Sequence, residues 1–144
     1  MQTTTRIAVD WADIDAMRHV NNLAILRYIQ SARVNICRAA GLMPEFAAPK
    51  EGPIVASISV RFCLPLFFPG EVVIESRVTG CRTTSFTLAH RVLDGEGNLA
   101  AEETEVLVYY DYEAGRKKPR PAAFVGAAKA EGAGDGASRD ADSL

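Results

Sequence analysis

The apolar residues change once from a helical to an alternating pattern, and this change limits the folds open to the chain. Between residues 21 and 40 they recur every three or four positions, as in an amphipathic helix. After Pro53, apolar and polar residues alternate in four segments separated by turn-forming residues, as in strands joined by short loops. One further alternating segment, 3–11, precedes the helix and predicts a half-buried strand with Ile7, Val9 and Trp11 on one face. The predicted apolar stripe of the helix is Ile25, Ile29, Ala32, Ile36 and Ala40.

This order predicts an α+β domain in which one long central helix is wrapped by a five-stranded antiparallel sheet. Short connections favour antiparallel neighbours, and a helix of about 20 residues is about 30 Å long. The predicted strands after the helix are 54–64, 71–79, 84–93 and 99–112. The domain is expected to span 1–124, because 125–144 is rich in Gly, Ala and acidic residues without periodicity, a composition typical of a disordered tail.

Composition argues against several classes of function. The net charge of −2 offers no excess of cations for nucleic acid. No apolar run approaches the roughly 20 residues that span a bilayer, and the first residues lack the apolar segment of a signal peptide. A cytoplasmic protein without nucleic-acid or membrane partners is expected. The three cysteines form no Cys-x-x-Cys pair and only two histidines are present, so no metal site and no cofactor are expected.

Residues that carry chemistry concentrate in the segment WADIDAMRHVNN, residues 11–22. Asp13, Asp15 and His19 lie there, immediately before the predicted helix. The start of a helix has unpaired N–H groups and the positive end of its dipole, and both favour negative charge. A carboxylate beside such donors suits acyl transfer, since one group activates the nucleophile while the other stabilises the oxyanion.

The same segment resembles the hot-dog fold acyl-CoA thioesterases of the 4-hydroxybenzoyl-CoA thioesterase type. Their pattern before the central helix is approximately Asp-x-Asp-x-x-Gly-His-Val-Asn-Asn. The later stretches CRTTSF, 81–86, and KKPRP, 117–121, are similar to segments further along that family. The resemblance implies a hot-dog fold and hydrolysis of a thioester to a free acid and coenzyme A. The matching residues here are Asp13, Asp15, His19, Val20, Asn21 and Asn22.

Carried over by position, the resemblance implies three catalytic roles. Asp15 is the central carboxylate, acting either as a nucleophile on the thioester or as a base for water. The backbone N–H of Asn22 polarises the thioester carbonyl. His19 lines the site and orients water or the carbonyl.

The resemblance also implies residues that bind substrate and a second copy of the chain. Asn21 would line the site, and Arg82, with Ser85 after it, is similar to a position that binds coenzyme A phosphate. The family forms homodimers, often paired into homotetramers, with the active site between subunits. Arg82 would then serve the neighbouring subunit's Asp15. The substrate is an acyl-CoA, with an acyl-carrier protein as the other candidate carrier.

Two positions depart from the family pattern. Arg18 replaces the usual glycine before histidine, and a positive φ there would strain the turn by about 1 kcal/mol or more. Gln30 stands where many relatives have a helix glutamate. A mechanism with a helix glutamate as the base therefore cannot operate. This favours Asp15 as the catalytic carboxylate.

Simpler interpretations stay open beside this one. Asp13 is expected to have a structural role in the turn, and His90, on the apolar face of a strand, is expected to be a hydrogen-bonded core residue. Among functions, a non-catalytic acyl-CoA or acyl-carrier-protein binding module is the main alternative. A hydratase or dehydratase would need a His–acid pair that the helix does not offer, and a purely structural oligomer leaves the polar cluster unexplained.

Overall fold

The computed structural model describes residues 1–43, 48–122 and 124. Its single long helix packs on a sheet of antiparallel strands with the order β1-β3-β4-β5-β2, and β6 pairs with β5. The predicted helix and five strands are confirmed, and β6 adds a sixth strand of two residues. The elements are β1 Gln2–Ala8, α1 Asn22–Ala39, β2 Glu51–Phe62, β3 Glu71–Cys81, β4 Ser85–Leu93, β5 Leu99–Asp111 and β6 Arg116–Lys117.

Helix α1 begins and ends where local chemistry satisfies its free backbone groups. The side chain of Asn21 accepts a hydrogen bond of 2.8 Å from the N–H of Ala24, which is the usual role of an N-cap residue. After the helix, Gly41 adopts a φ of +72°, a conformation that glycine reaches without strain. The helix therefore spans two residues fewer than the predicted 21–40.

The predicted apolar stripe of α1 faces the sheet and contributes residues to two clusters of the hydrophobic core. Ile29 and Ala32 are completely buried near the first half of the helix, and Ile36 is buried near the second half. The helix packs mainly on β1, β3 and β4. It therefore does not cover the face of β2. The sheet residues of the two clusters include Val72, Ile74, Val92, Ala100 and Ala101, and Val78, Phe86, Leu88, Leu107 and Tyr109.

The first strand is shorter than its alternation predicts. It ends at Ala8, and a 3-10 turn, Trp11–Asp13, follows. The side chain of Asp10 accepts a 2.8 Å bond from the N–H of Ala12, and such a local bond competes with continued strand pairing. The prediction that Trp11 shares the buried strand face was wrong, since Trp11 is 74% exposed.

Two expectations concern the whole chain. Among the described residues, none of the helices combines the length and hydropathy needed to cross a membrane. The segment 125–144 lies outside the described residues, so the domain boundary at 124 and the disordered tail stay predictions.

Candidate active site

A short hairpin carries the polar motif between the 3-10 turn and α1. Ile14 and Val20 form an antiparallel bridge, and the N–H of Asp15 donates to the carbonyl of His19 at 3.1 Å. The N–H of Arg18 donates to the carbonyl of Asp15 at 3.0 Å. These bonds hold the backbones of Asp15 and His19 opposite each other across one tight turn.

Arg18 adopts the left-handed conformation that the family pattern assigns to glycine. Its φ is +67°, which brings the Cβ of an L-residue close to its own backbone. The side chain itself is exposed. Arg18 therefore has the positive φ that strains the backbone of a residue other than glycine.

The side chain of Asp15 is fixed through one of its two oxygens. Its Oδ1 accepts a 2.8 Å hydrogen bond from the N–H of Met17, a side-chain turn that is common for aspartate. The residue is half-buried. The second carboxylate oxygen has no hydrogen-bond partner within the part of the chain that the structure describes, so it is available to a ligand.

Asp15, His19 and Asn22 line the same cleft, whose volume is about 450 Å³. Its polar side comes from the hairpin and the start of α1, and its apolar side comes largely from the residues at and after the end of β2. The cleft therefore combines a carboxylate with an apolar wall. The remaining lining residues are Val20, Ile25, Phe62, Cys63, Leu64 and Pro65.

The start of α1 lies at this cleft, and the first N–H groups of a helix have no carbonyl within the helix as a partner. The N–H of Ile25 makes the first helical bond, to the carbonyl of Asn21 at 3.2 Å. Asn22 is the first helical residue. Its N–H therefore has no acceptor within the helix, because a helical N–H donates to the carbonyl four residues before it. The predicted oxyanion donor thus lies at the cleft with the positive end of the helix dipole behind it.

Asn21 lies beside the cleft rather than among its lining residues. Besides capping α1, its Nδ2 donates to the backbone carbonyl of Asp13 at 3.3 Å. Its side chain is thus engaged in fixing the start of the helix. Its predicted place as a substrate-binding residue stays a prediction.

Asp13 connects the 3-10 turn to the helix. Its Oδ1 accepts a 2.5 Å bond from Arg27 Nη2, and its Oδ2 accepts a 2.7 Å bond from the hydroxyl of Tyr28. The hydrogen bonds from Arg27 and Tyr28 lower the pKa of Asp13 below its ordinary value. Burial, with the bond to Asp13, raises the pKa of Tyr28 to about 12. These contacts match the structural role expected for Asp13.

Arg82 and Ser85 lie far from the cleft within one chain. Arg82 lies in the turn between β3 and β4, and Ser85 is the first residue of β4. The N–H of Arg82 donates to the carbonyl of Ser85 at 2.8 Å. Arg82 is exposed, whereas Ser85 is buried. The cleft lies at the opposite end of β3, which has 11 residues and is therefore roughly 35 Å long. A single chain does not bring these residues to Asp15.

The apolar wall was identified only in part from the sequence. For Phe62, the last but two of the residues in the predicted strand 54–64, the sequence favours core packing, with a place in an acyl pocket as the alternative. In the structure Phe62 is 45% exposed and lines the cleft. Leu64 and Pro65 follow it in the irregular segment before β3. Pro65 is the sequence feature that indicates this wall, because a proline after an apolar strand marks the point where the chain leaves the sheet.

A family model described as the thioesterase-like superfamily matches residues 9–128. The chain belongs to this superfamily. Membership confirms the resemblance to hot-dog thioesterases and the prediction of a thioester hydrolase. The narrower 4-hydroxybenzoyl-CoA thioesterase type stays a prediction. No curated protein matches the chain.

Solved structures of other thioesterases share this fold. The PA2801 protein from Pseudomonas aeruginosa is 31% identical, with 86% of this chain and 95% of that chain covered and a TM-score of 0.79. A thioesterase from Thermus thermophilus, complexed with coenzyme A and Zn, is 28% identical over 88% and 91% of the two chains, with a TM-score of 0.75. Slr0204 from Synechocystis, a 1,4-dihydroxy-2-naphthoyl-CoA thioesterase, is 17% identical over 90% and 96%, with a TM-score of 0.78, and supports the fold alone.

Proposed function

We propose that this thioesterase-superfamily protein hydrolyses an acyl-CoA to a free acid and coenzyme A, with Asp15 as its catalytic carboxylate. The observation that carries the proposal is that Asp15, His19 and Asn22 line one cleft. An acyl chain would occupy the apolar wall beside Phe62 and Leu64. The relative from Thermus thermophilus is complexed with coenzyme A, which supports coenzyme A as the carrier here.

The thioester carbonyl would be polarised at the start of α1. Its oxygen would accept a hydrogen bond from the N–H of Asn22, and the helix dipole would stabilise the negative charge that develops there. This donor needs no reorientation during the reaction, because the cap made by Asn21 already fixes the helix start. His19 would position the water or the carbonyl from the other side of the cleft.

Asp15 can act by either of two balanced routes. As a nucleophile, its carboxylate forms a bond to the carbonyl carbon and the C–S bond breaks, so that water then hydrolyses the mixed anhydride. As a base, it takes a proton from water, whose oxygen attacks the carbonyl carbon, and the proton passes to the leaving thiolate. Because Oδ1 is held by Met17, the other oxygen is the reacting atom in both routes.

We propose further that the working protein is a homodimer, alone or paired into a homotetramer. Strand β2 forms one edge of the sheet, and its Ile58 and Phe62 are 46% and 45% exposed. Within the described residues this strand of 12 residues pairs only with β5, and an open edge of this kind favours pairing with another copy. In such an assembly, Arg82 of one subunit would bind the coenzyme A phosphates at the cleft of its neighbour.

The catalytic proposal is tested by thiol release from short, medium, long and aromatic acyl-CoAs. Asp15→Asn should reduce kcat by at least about 100-fold, while Asp10→Asn, which changes a neighbouring carboxylate outside the cleft, should not. Undiminished turnover by Asp15→Asn would remove Asp15 from the mechanism. If the wild-type protein binds acyl-CoA without turning over any thioester, the non-catalytic binding module is the better description.

Subunit mixing tests whether the site is shared. Asp15→Asn and Arg82→Ala proteins, each impaired alone, would be unfolded together and refolded as a mixture. If each site takes Asp15 from one chain and Arg82 from the other, random pairing restores about a quarter of the sites. A mixture no more active than the average of its components would contradict a shared site.

A further inference from the structure

Strands β4 and β5 carry three ionisable residues on the side of the sheet that faces the interior. His90 on β4 pairs directly opposite Glu103 on β5, and Glu105 lies two residues further along the same face, so their side chains are neighbours. They are 1%, 2% and 0% exposed, respectively. Charged residues are almost never so completely buried unless they are paired.

Two of the three residues have partners. His90 Nδ1 lies 2.7 Å from Ser76 Oγ, and His90 Nε2 lies 3.0 Å from Glu105 Oε1. Arg33, on α1, donates from Nε and Nη2 to the Glu105 carboxylate at 2.8 and 2.6 Å. The ion pair with Arg33 compensates the buried charge of Glu105.

Glu103 has no partner of this kind. Neither of its carboxylate oxygens has a hydrogen-bond partner among the described residues, although both are buried. A buried carboxylate without a donor is unfavourable, and two carboxylates here face a single guanidinium. Either a proton or a further cation would compensate the charge of Glu103.

We propose that His90, Glu103 and Glu105 bind one divalent transition-metal ion of the zinc class. Their donor atoms all lie within 4.8 Å of one another, and donors on one Zn²⁺ lie roughly 3.4 Å apart. One imidazole and two carboxylates are ordinary ligands for this ion. The two unpartnered oxygens of Glu103 also permit bidentate ligation.

The surroundings of His90 favour ligation through Nε2. If Nδ1–H donates to Ser76 Oγ, the lone pair of Nε2 points toward the two carboxylates, and a hydrogen bond of this kind commonly orients a metal-bound histidine. The ion would replace the direct contact between His90 and Glu105. Arg33 opposes the ion by its charge, but its side chain is 16% exposed and is long enough to turn toward solvent.

The test is zinc binding to the full chain after treatment with a chelator. Calorimetric titration should give one Zn²⁺ per chain, and the melting temperature should rise with the ion, because an ion that binds only the folded state stabilises it. Substitution with Co²⁺ should give a visible spectrum without a thiolate charge-transfer band. Glu103→Gln, which preserves shape and removes a buried charge, should weaken binding by at least about 10-fold, the smallest loss that is typical even for a residue outside the direct ligands.

The other histidine provides the matched control. His19→Gln should retain the ion, because His19 belongs to the cleft, whereas His90→Asn should lose it. Circular dichroism of each variant separates lost binding from lost folding. Zinc bound equally by Glu103→Gln, zinc lost in His19→Gln, a thiolate band, or no stoichiometric binding to the wild type would each overturn the proposal. In the last case a proton on Glu103 is what neutralises the cluster.

Discussion

Replacing Arg18 with glycine should stabilise the protein without removing any packing. At a φ of +67°, an L-residue is about 1–2 kcal/mol less stable than in the right-handed region. Glycine avoids this cost, but it gives the unfolded chain extra freedom worth about 0.4–1 kcal/mol. The net gain in the free energy of unfolding should be about 0.5–1 kcal/mol. For a chain of this size that corresponds to a rise in melting temperature of about 2–4 °C.

Two further variants isolate the backbone conformation as the cause. Arg18→Ala removes the charge and the long side chain but keeps the Cβ, so it should leave stability within about 0.5 kcal/mol of the wild type. Gly97 has a φ of +86°, and a Cβ there would meet no atom within 4 Å. Gly97→Ala should therefore reduce stability by about 1 kcal/mol through conformation alone.

Urea unfolding followed by circular dichroism measures all three variants on one scale. The protein concentration should be held constant, since self-association would add to stability. An Arg18→Gly protein no more stable than Arg18→Ala would rule out backbone strain as the cause. In that case the side chain of Arg18, and not its backbone, determines the stability of the turn.

Three other perturbations follow from buried contacts. Asp13→Asn should lower the free energy of unfolding by about 1–3 kcal/mol at pH 7. Because the fold lowers the pKa of Asp13 below 3.8, this contribution is complete above that pH and is lost as pH falls through the lowered value; urea unfolding across this range should show the two proteins converging, and a constant gap would contradict it. Ile29→Ala, at a completely buried position, should cost about 2–5 kcal/mol by thermal unfolding; a smaller loss would show that the core relaxes around the cavity. Burial raises the pKa of Cys37 to about 12, so mass spectrometry should detect maleimide on Cys37 only after unfolding; rapid labelling of the native protein would contradict its burial.

The order of elements could be predicted because each one buries a periodic apolar face. Ile25, Ile29 and Ile36 recur at helical spacing, and all three are buried against the sheet. The end of β1 could not be predicted in the same way. Trp11 fits the alternation of the strand, but a local hydrogen bond of Asp10 stops the pairing before it. Single polar residues thus decide boundaries that periodicity leaves open.

The same limit applies to the buried polar cluster. Alternation over 99–112 groups Val106, Val108 and Tyr110 as the apolar face, which assigns Glu103 and Glu105 to the other side. Strand β5 lies between β4 and β2, and residues on both of its faces are buried. The convergence of these glutamates with His90 depends on strand register, which a single sequence does not specify. The expectation that the chain holds no metal was based on the spacing of cysteines and histidines along the sequence. That spacing does not show which residues the strand register brings together.

The polar motif can support catalysis because the residues that cap the helix and fix the turn are not the ones that line the cleft. Asn21 caps the helix and Asp13 holds Arg27 and Tyr28, so neither task falls to Asp15. Asp15 could itself have accepted the free N–H groups of the helix start, but its Oδ1 is bound by Met17. Asp15 and Asn22 therefore line one cleft, and the part of the chain that the structure describes shows no hydrogen bond between them. A substrate thioester would contact both, because its carbonyl oxygen can accept from the backbone donor while its carbonyl carbon lies within reach of the carboxylate or of a water that it activates.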